Sequence, residues 1–196
     1  MAELTEEQLK SMSPEELKEL SKKQCIFCQI ISGKVASKKI YEDESCIAIL
    51  DINPANPGHT LILPKEHYSI MPLMPEEEIT HLFSVSKRIS MAQIRALKAD
   101  GTNIFVANGA AAGQKSPHFM IHVIPRKEND GITTFTLPQN DMTPEENMKL
   151  RSAIEKNVNA RFGITKSIVP EPPKLVKEND GQKKKFDLNA ITKLFK

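Results

Sequence analysis

The sequence predicts an α+β fold, in which a five-stranded antiparallel sheet carries two main helices on one face. Strand-like runs occur in neighbouring pairs separated by short turns, and strands connected in this way pair antiparallel. Two long segments instead repeat apolar residues with the period of a helix, so each has an apolar stripe to bury against a sheet. Helical extensions are expected at both ends of the chain.

The chain divides by composition into four regions. Ser13, followed by Pro14 and two acids, predicts a helix start near the N-terminus. Pro170-Glu-Pro-Pro is typical of an extended linker. The last segment has a one-sided apolar pattern but is too short to be a stable helix alone, so we expect it to dock on its own domain or on a second copy. The predicted regions are an N-terminal helical extension (1–23), the main domain (24–165), a Pro/Lys-rich linker (166–185) and a C-terminal amphipathic helix (186–196).

Within the main domain, the element boundaries follow from turn and cap residues. A short helix is expected to end at Gly33, and longer helices are expected at 75–97 and 143–161. Pro64 ends the third of the predicted strands. The five strands are predicted at 39–42, 46–50, 59–64, 103–107 and 118–124.

The overall composition is that of a globular protein without special surface chemistry. The 196 residues are 39% hydrophobic and 27% charged, with a formal net charge of +2, which gives no general affinity for nucleic acid. No apolar run reaches membrane length, and there is no signal-peptide pattern. The three cysteines do not form the framework of a secreted disulfide-rich protein. We therefore expect a cytoplasmic protein that binds neither membrane nor nucleic acid.

Two cysteines have the spacing of a chelating pair. Cys25-Ile-Phe-Cys28 lets two thiolates bind one ion, and zinc prefers four nitrogen or sulfur ligands in a tetrahedral array. His67, which follows the third strand, and His118, at the start of the fifth, are available to complete such a set. A pair of buried free thiols is the competing interpretation.

A second polar cluster is expected on the fifth strand. Side chains alternate along a strand, so His118, Met120 and His122 are predicted to point to the same face. They follow a small-residue loop, 108–114, in which the backbone can approach a ligand closely. This loop is not a P-loop, because it has no Gly-Lys-Ser ending and no helix after it.

Together these segments resemble the histidine triad (HIT) superfamily, specifically its zinc-bearing Hint-like branch. The resemblance runs in order from Cys25 to Arg126, and combined motifs of this kind are highly specific. It rests on Cys25-Ile-Phe-Cys, the Tyr41-Glu-Asp-Glu hairpin, Leu50-Asp-Ile-Asn-Pro, Pro57-Gly-His-Thr-Leu-Ile-Leu-Pro-Lys, Asn108-Gly, Gly113-Gln and His118-x-x-x-His-x-Ile-Pro-Arg.

The resemblance implies a homodimer that binds purine nucleotides of the AMP or GMP type. Members hydrolyse or transfer nucleoside monophosphates from phosphoramidates, acyl adenylates or dinucleoside polyphosphates. Asp51 matches the acid that holds the ribose, while Phe27 and Ile49 match residues beside the base. The remaining implied residues are His59 lining the site, His122 on the phosphate, a phosphate-side loop (Asn108, Gly113, Gln114, with Lys115 and Ser116 following), and a structural zinc on Cys25, Cys28, His67 and His118.

The main departure from the family pattern is Met120, which stands where the family has its nucleophilic histidine. A thioether cannot replace an imidazole aligned with phosphorus, so the covalent nucleotidyl-histidine route is expected to be impaired. Lys115 also departs from the family pattern, because a serine or threonine often follows the glutamine there. A methionine engineered at position 120 to trap a substrate complex would leave Lys115 unexplained, so this interpretation is the least favoured.

Three functions stay open at this point. The first is a nucleotide-binding protein without hydrolase activity. The second is a hydrolase that uses water, with His122 or His59 as the base and Lys115 on the phosphate charge. The third is a zinc-stabilised scaffold or interaction protein in which the thioether fills the pocket.

Overall fold

The computed structural model describes residues 12–133, 137–138 and 140–163. The chain separates into two compact units, one reaching Ile132 and the other beginning at Thr133. The first unit contains the whole described sheet, and the described part of the second contains one helix. The predicted linker, the C-terminal amphipathic helix and most of the residues before Ser13 lie outside the described residues.

The described sheet has five strands in the order β1-β2-β3-β5-β4, and every neighbouring pair is antiparallel. This confirms the predicted fold class. The strands are β1 (Lys39–Glu42), β2 (Cys46–Leu50), β3 (Thr60–Pro64), β4 (Gly101–Phe105) and β5 (Ile121–Arg126).

The fifth strand begins later than predicted, at Ile121 instead of His118. The residues just before it bond outside the ladder: the Phe119 amide donates to the Tyr68 carbonyl at 2.6 Å, and His118 Nε2 bonds to the Pro64 carbonyl at 3.0 Å. β4 likewise covers 101–105 instead of 103–107.

The described helices are α1 (Pro14–Gln24), α2 (Ile26–Ile31), α3 (Glu76–Leu97) and α4 (Pro144–Phe162), with short 3-10 turns at Met71–Leu73 and Ala110–Ala112. Ser13 and Glu16 form a reciprocal capping box at the start of α1, as the sequence signal predicts. Among these described helices, none is both long and apolar enough to cross a membrane.

The sheet has an apolar core on each face. On one face α3 packs Leu82, Val85 and Ile89 against the sheet. On the other, Ile30 of α2 packs against alternate residues of β2 and β3, so helices cover both faces and not one as predicted. The reason is that these two strands are buried almost throughout, which demands a cover on each side. The second core consists of Ile30, Ile47, Ile49, Leu61 and Leu63.

Candidate functional site

The first polar cluster collects the predicted cysteine and histidine ligands at one end of the sheet. Cys25 lies between α1 and α2, and Cys28 lies in the first turn of α2. His67 follows β3, and His118 precedes β5. The Nδ1 atom of His118 is 3.5 Å from the Cys25 sulfur and 3.6 Å from the Cys28 sulfur, and His67 Nδ1 is 3.2 Å from the Cys28 sulfur.

Hydrogen bonds on the far side of each ring orient both histidines. The Pro64 carbonyl can only accept, so His118 carries its proton on Nε2 and turns the Nδ1 lone pair toward the sulfurs. His67 Nε2 is 2.9 Å from the Ser21 hydroxyl, which leaves its Nδ1 atom facing Cys28. Outer partners of this kind are what fix the ligand atom of a metal-bound histidine.

The four ligand atoms fit a tetrahedral ion. All lie within 4.8 Å of one another, and the ligand-to-ligand distances around zinc are about 3.3–3.8 Å. Burial lowers the pKa of His118 to about 4, so its ring is neutral at pH 7 and able to bind a cation. Burial also raises the pKa of the Cys28 thiol to about 12, and a bound divalent ion would reverse this by stabilising the thiolate. The cluster is therefore a possible metal site.

The second polar cluster joins Asp51, His59 and His122. His59 Nε2 lies 3.0 Å from His122 Nδ1, and His59 Nδ1 lies 3.4 Å from an Asp51 carboxylate oxygen. The Ala55 amide donates to His59 Nδ1 at 3.2 Å, so the proton of this ring resides on Nε2 and is donated to His122. His122 then carries its own proton on Nε2.

Both histidines of this pair are neutral at pH 7. Burial lowers the pKa of His59, although the nearby Asp51 carboxylate opposes this shift. Burial and the neighbouring His59 ring lower the pKa of His122 to about 4. The pair can therefore pass a proton or donate a hydrogen bond to an anion without holding a positive charge of its own.

The strand register places an apolar wall beside this pair. Ile49, Leu61, His122 and Phe105 are successive cross-strand partners on β2, β3, β5 and β4, so their side chains share one sheet face. Met120 and Phe27 pack against the same apolar cluster as Ile49. The structure thus brings Met120 close to the two residues that the sequence analysis expects beside the base.

Phe105 is a site residue that sequence analysis missed. Its ring lies 5.6 Å from the ring of His122, with an interplanar angle of 49°. The fourth strand could be recognised in the sequence, but its partner and register could not, and the register alone puts this phenylalanine opposite His122. An aromatic residue at the end of an edge strand is the only local signal.

The predicted phosphate-side loop is braced internally. Gln114 accepts from the Gly109 amide at 2.7 Å and donates to the Ser69 and Ser116 carbonyls, and Asn108 accepts from the Met71 amide at 2.9 Å. Gln114 and Asn108 thus tie this loop to the segment after β3, and Gln114 also ties it to Ser116 just beyond the loop. Gly113 has a φ of +87°, which favours glycine, and Lys115 is exposed.

Comparison with known proteins identifies the family of this chain. The family model for the HIT domain matches residues 32–129. The adenylylsulfatase HINT3 of Arabidopsis thaliana is 46% identical over 106 residues, which cover 54% of this chain and 54% of the plant protein. A Zn-bound histidine triad family protein from Mycobacterium smegmatis superimposes with a TM-score of 0.54 at 35% identity, covering 71% of this chain and 99% of that one. A hypothetical histidine triad nucleotide-binding protein from Sulfolobus tokodaii gives 0.52 at 33% identity, covering 73% and 99%.

Proposed function

This chain belongs to the HIT domain family, a family of nucleotide-binding proteins, and from that premise we propose that it binds a purine nucleotide beside Asp51, His59 and His122. The observation that carries the proposal is the hydrogen-bonded pair of neutral histidines with a carboxylate at its outer end. Because His122 Nδ1 accepts from His59, its Nε2 proton remains to be donated to a phosphate oxygen.

The other contacts follow from the chemistry of each group. Asp51 is acceptor-only and can hold both ribose hydroxyls, while Phe27 and Ile49 supply the apolar wall for a purine ring. Gln114 and Asn108 shape the loop on the phosphate side, and the exposed Lys115 adds a positive charge there. The related HINT3 is an adenylylsulfatase, which favours an adenylyl ligand.

We propose further that the covalent route of the family is impaired. That route needs an imidazole in line with phosphorus, and Met120 packs its thioether among the apolar side chains of the second core. His59 and His122 remain as a base for an attacking water, so a slower hydrolysis is the alternative function. A non-catalytic scaffold is the third.

Exchange of Met120 for histidine tests this directly. If only the nucleophile is missing, Met120→His will hydrolyse an adenosine phosphoramidate about 10³-fold or more faster than the natural chain. Met120→Leu, which keeps an apolar side chain, is the control and should stay at the natural level. If the natural chain hydrolyses the phosphoramidate as fast as Met120→His, the covalent route is not impaired. If the natural chain has activity that disappears in His122→Ala, the result supports the route through an attacking water.

Nucleotide binding is tested by calorimetry with AMP and GMP. We expect an affinity in the micromolar range, weakened by about 10- to 100-fold in Asp51→Ala because two ribose hydrogen bonds are lost. Glu44→Ala removes an exposed acid in the β1–β2 turn and should bind like the natural chain. No heat with any purine nucleotide, or equal losses in both variants, would contradict the proposal.

The metal of the Cys/His cluster is proposed to be structural zinc. Two cysteines and two histidines would fill all four tetrahedral positions of a zinc ion, so no position would be left for a catalytic water. Zinc supplies cross-linking at such a site, and the M. smegmatis relative is described as Zn-bound. Elemental analysis should give about one zinc per chain, and a metal-free protein would refute the assignment.

The homodimer and the cytoplasmic location also stay proposals. The dimer is supported by β4, an edge strand of the described sheet on which Ile104 and Phe105 are 45% and 36% exposed. Light scattering after gel filtration measures the mass, and a single-chain mass at all concentrations would exclude the dimer.

A further inference from the structure

The pair of histidines beside Asp51 has the features of a cation site as well as of an anion site. We propose that His59 and His122 form a second metal-ion site in this chain, separate from the Cys/His cluster and selective for a divalent transition-metal ion.

The nitrogen positions already suit such an ion. His59 Nε2 and His122 Nδ1 are 3.0 Å apart, and two nitrogens bound to one ion at about 2.0–2.1 Å are separated by roughly 2.9–3.4 Å. An ion can replace the proton that now lies between them once both rings turn, so that their lone pairs converge to one side of the line joining the two nitrogens.

The protonation states allow this exchange without releasing a proton. The proton on His59 Nε2 moves to Nδ1, which then donates a hydrogen bond to the Asp51 carboxylate oxygen at 3.4 Å. The Ala55 amide gives up its bond to Nδ1, while His122 keeps its Nε2 proton throughout. Asp51 then acts as the positioning carboxylate behind a metal-bound imidazole, an arrangement common in metal sites.

The charge and burial of the site also favour a cation. His59 is 6% exposed and both rings are neutral, so the only formal charge in the cluster is the Asp51 carboxylate. One oxygen of Asp51 and one nitrogen of each ring lie within 4.8 Å of one another. Imidazole ligands without sulfur suit Co²⁺, Ni²⁺ or Zn²⁺, whereas the thiolate pair of the other cluster takes softer ions.

Cobalt distinguishes the two clusters by absorption. A Co²⁺ ion bound to cysteine thiolates shows sulfur-to-metal charge-transfer bands, whereas one bound to nitrogen and oxygen shows only weak d–d bands. When the Cys/His cluster has first been filled with zinc, we expect one further Co²⁺ per chain, with d–d bands alone.

Variants assign that ion to the pair. His122→Ala should lose it, and Asp51→Asn should weaken its binding by about 10- to 100-fold. His81→Ala, which removes a histidine paired with Asp43 outside both clusters, should keep it. The metal content of the Cys/His cluster and the circular dichroism report whether each variant is folded.

The proposal is overturned if all the Co²⁺ bound by the natural chain shows thiolate bands. It is also overturned if folded His122→Ala still binds the Co²⁺ ion that shows d–d bands alone. All titrations are made without nucleotide. Failure of AMP binding would therefore leave this outcome unaffected, and the two proposals can fail separately.

Discussion

Ser21 bonds to the ring nitrogen of His67 that faces away from the thiols, at 2.9 Å. Without this hydroxyl the His67 ring can rotate, so one ligand of a bound metal ion is no longer held in its orientation. We expect Ser21→Ala to weaken zinc binding by about 10- to 100-fold. Competition with a chromophoric chelator measures this affinity.

Ser32 provides the matched control for Ser21. Its hydroxyl donates to the Gln29 carbonyl at 3.1 Å and contacts neither histidine of the cluster. Ser32→Ala should bind zinc like the natural chain. Equal affinity in Ser21→Ala and Ser32→Ala would mean that the Ser21 bond does not orient His67.

The histidines of the candidate sites could be identified from the sequence, but the groups that they contact could not. His118 and His122 are four residues apart, and their spacing suggested one shared strand face. The structure assigns them to different clusters, because His118 lies before the strand and bonds to Pro64 while His122 pairs with His59. The ring nitrogen that each histidine offers depends on backbone groups brought close by folding, which no motif encodes.

Gly58, just before β3, carries the tightest glycine constraint near the site. It has a φ of +93°, and a Cβ atom added there would collide with Leu97 at the end of α3. Gln93 of the same helix donates to the Gly58 carbonyl at 2.9 Å, so the turn and α3 are held together. We expect Gly58→Ala to lower the free energy of unfolding by about 1–3 kcal/mol, measured by urea denaturation.

Gly101 is the control for this substitution. It begins β4, has no left-handed φ, and nothing lies within 4 Å of an added Cβ atom. Gly101→Ala should be neutral or stabilising by up to about 1 kcal/mol, because it only reduces the entropy of the unfolded chain. A Gly58→Ala variant as stable as Gly101→Ala would show that the turn before His59 can relax.

At the level of helices and strands, the sequence predicted which elements form better than it predicted the residues at which they begin and end. All five strands and the helices that begin near Pro14, Glu76 and Pro144 are found. Cap residues mark helix starts locally, as the Thr143–Glu146 capping box does at α4. Strand limits depend on partners, so Phe119 leaves the expected strand once its amide bonds to Tyr68.

Lowering the pH should destabilise the whole domain before its carboxylates titrate. Burial holds the pKa values of His59, His118 and His122 below 6.5 in the folded state, to about 4 for the last two. Between pH 6.5 and about 4 the unfolded chain therefore binds more protons than the folded one, and stability falls as the pH falls. The urea midpoint should decrease steadily from pH 7 to 4.5.

His122→Gln isolates one of these groups. Glutamine does not titrate, so the midpoint of this variant should fall less steeply over the same range than that of the natural chain. Equal slopes would mean that His122 is protonated at a similar pH in both states. Exchange of the exposed Glu44 for Gln serves as the control and should leave the slope between pH 7 and 5 unchanged.

For the molecule as a whole, the fold class followed from local patterns but the strand order did not. β5 lies between β3 and β4, and this insertion brings His122 next to Leu61 on one side and Phe105 on the other. Both contacts join residues distant in sequence. The sequence likewise did not show that α2 and α3 cover opposite faces of β2.

The Cys/His cluster also connects segments that are far apart in the sequence. It joins residues 39 apart through Cys28 and His67, and residues 93 apart through Cys25 and His118. An ion held by all four atoms would restrict the unfolded chain as a cross-link does, worth about 4–5 kcal/mol for a loop of that length in the chain-entropy treatment. The stability of the folded chain would then rise and fall with the free concentration of the ion.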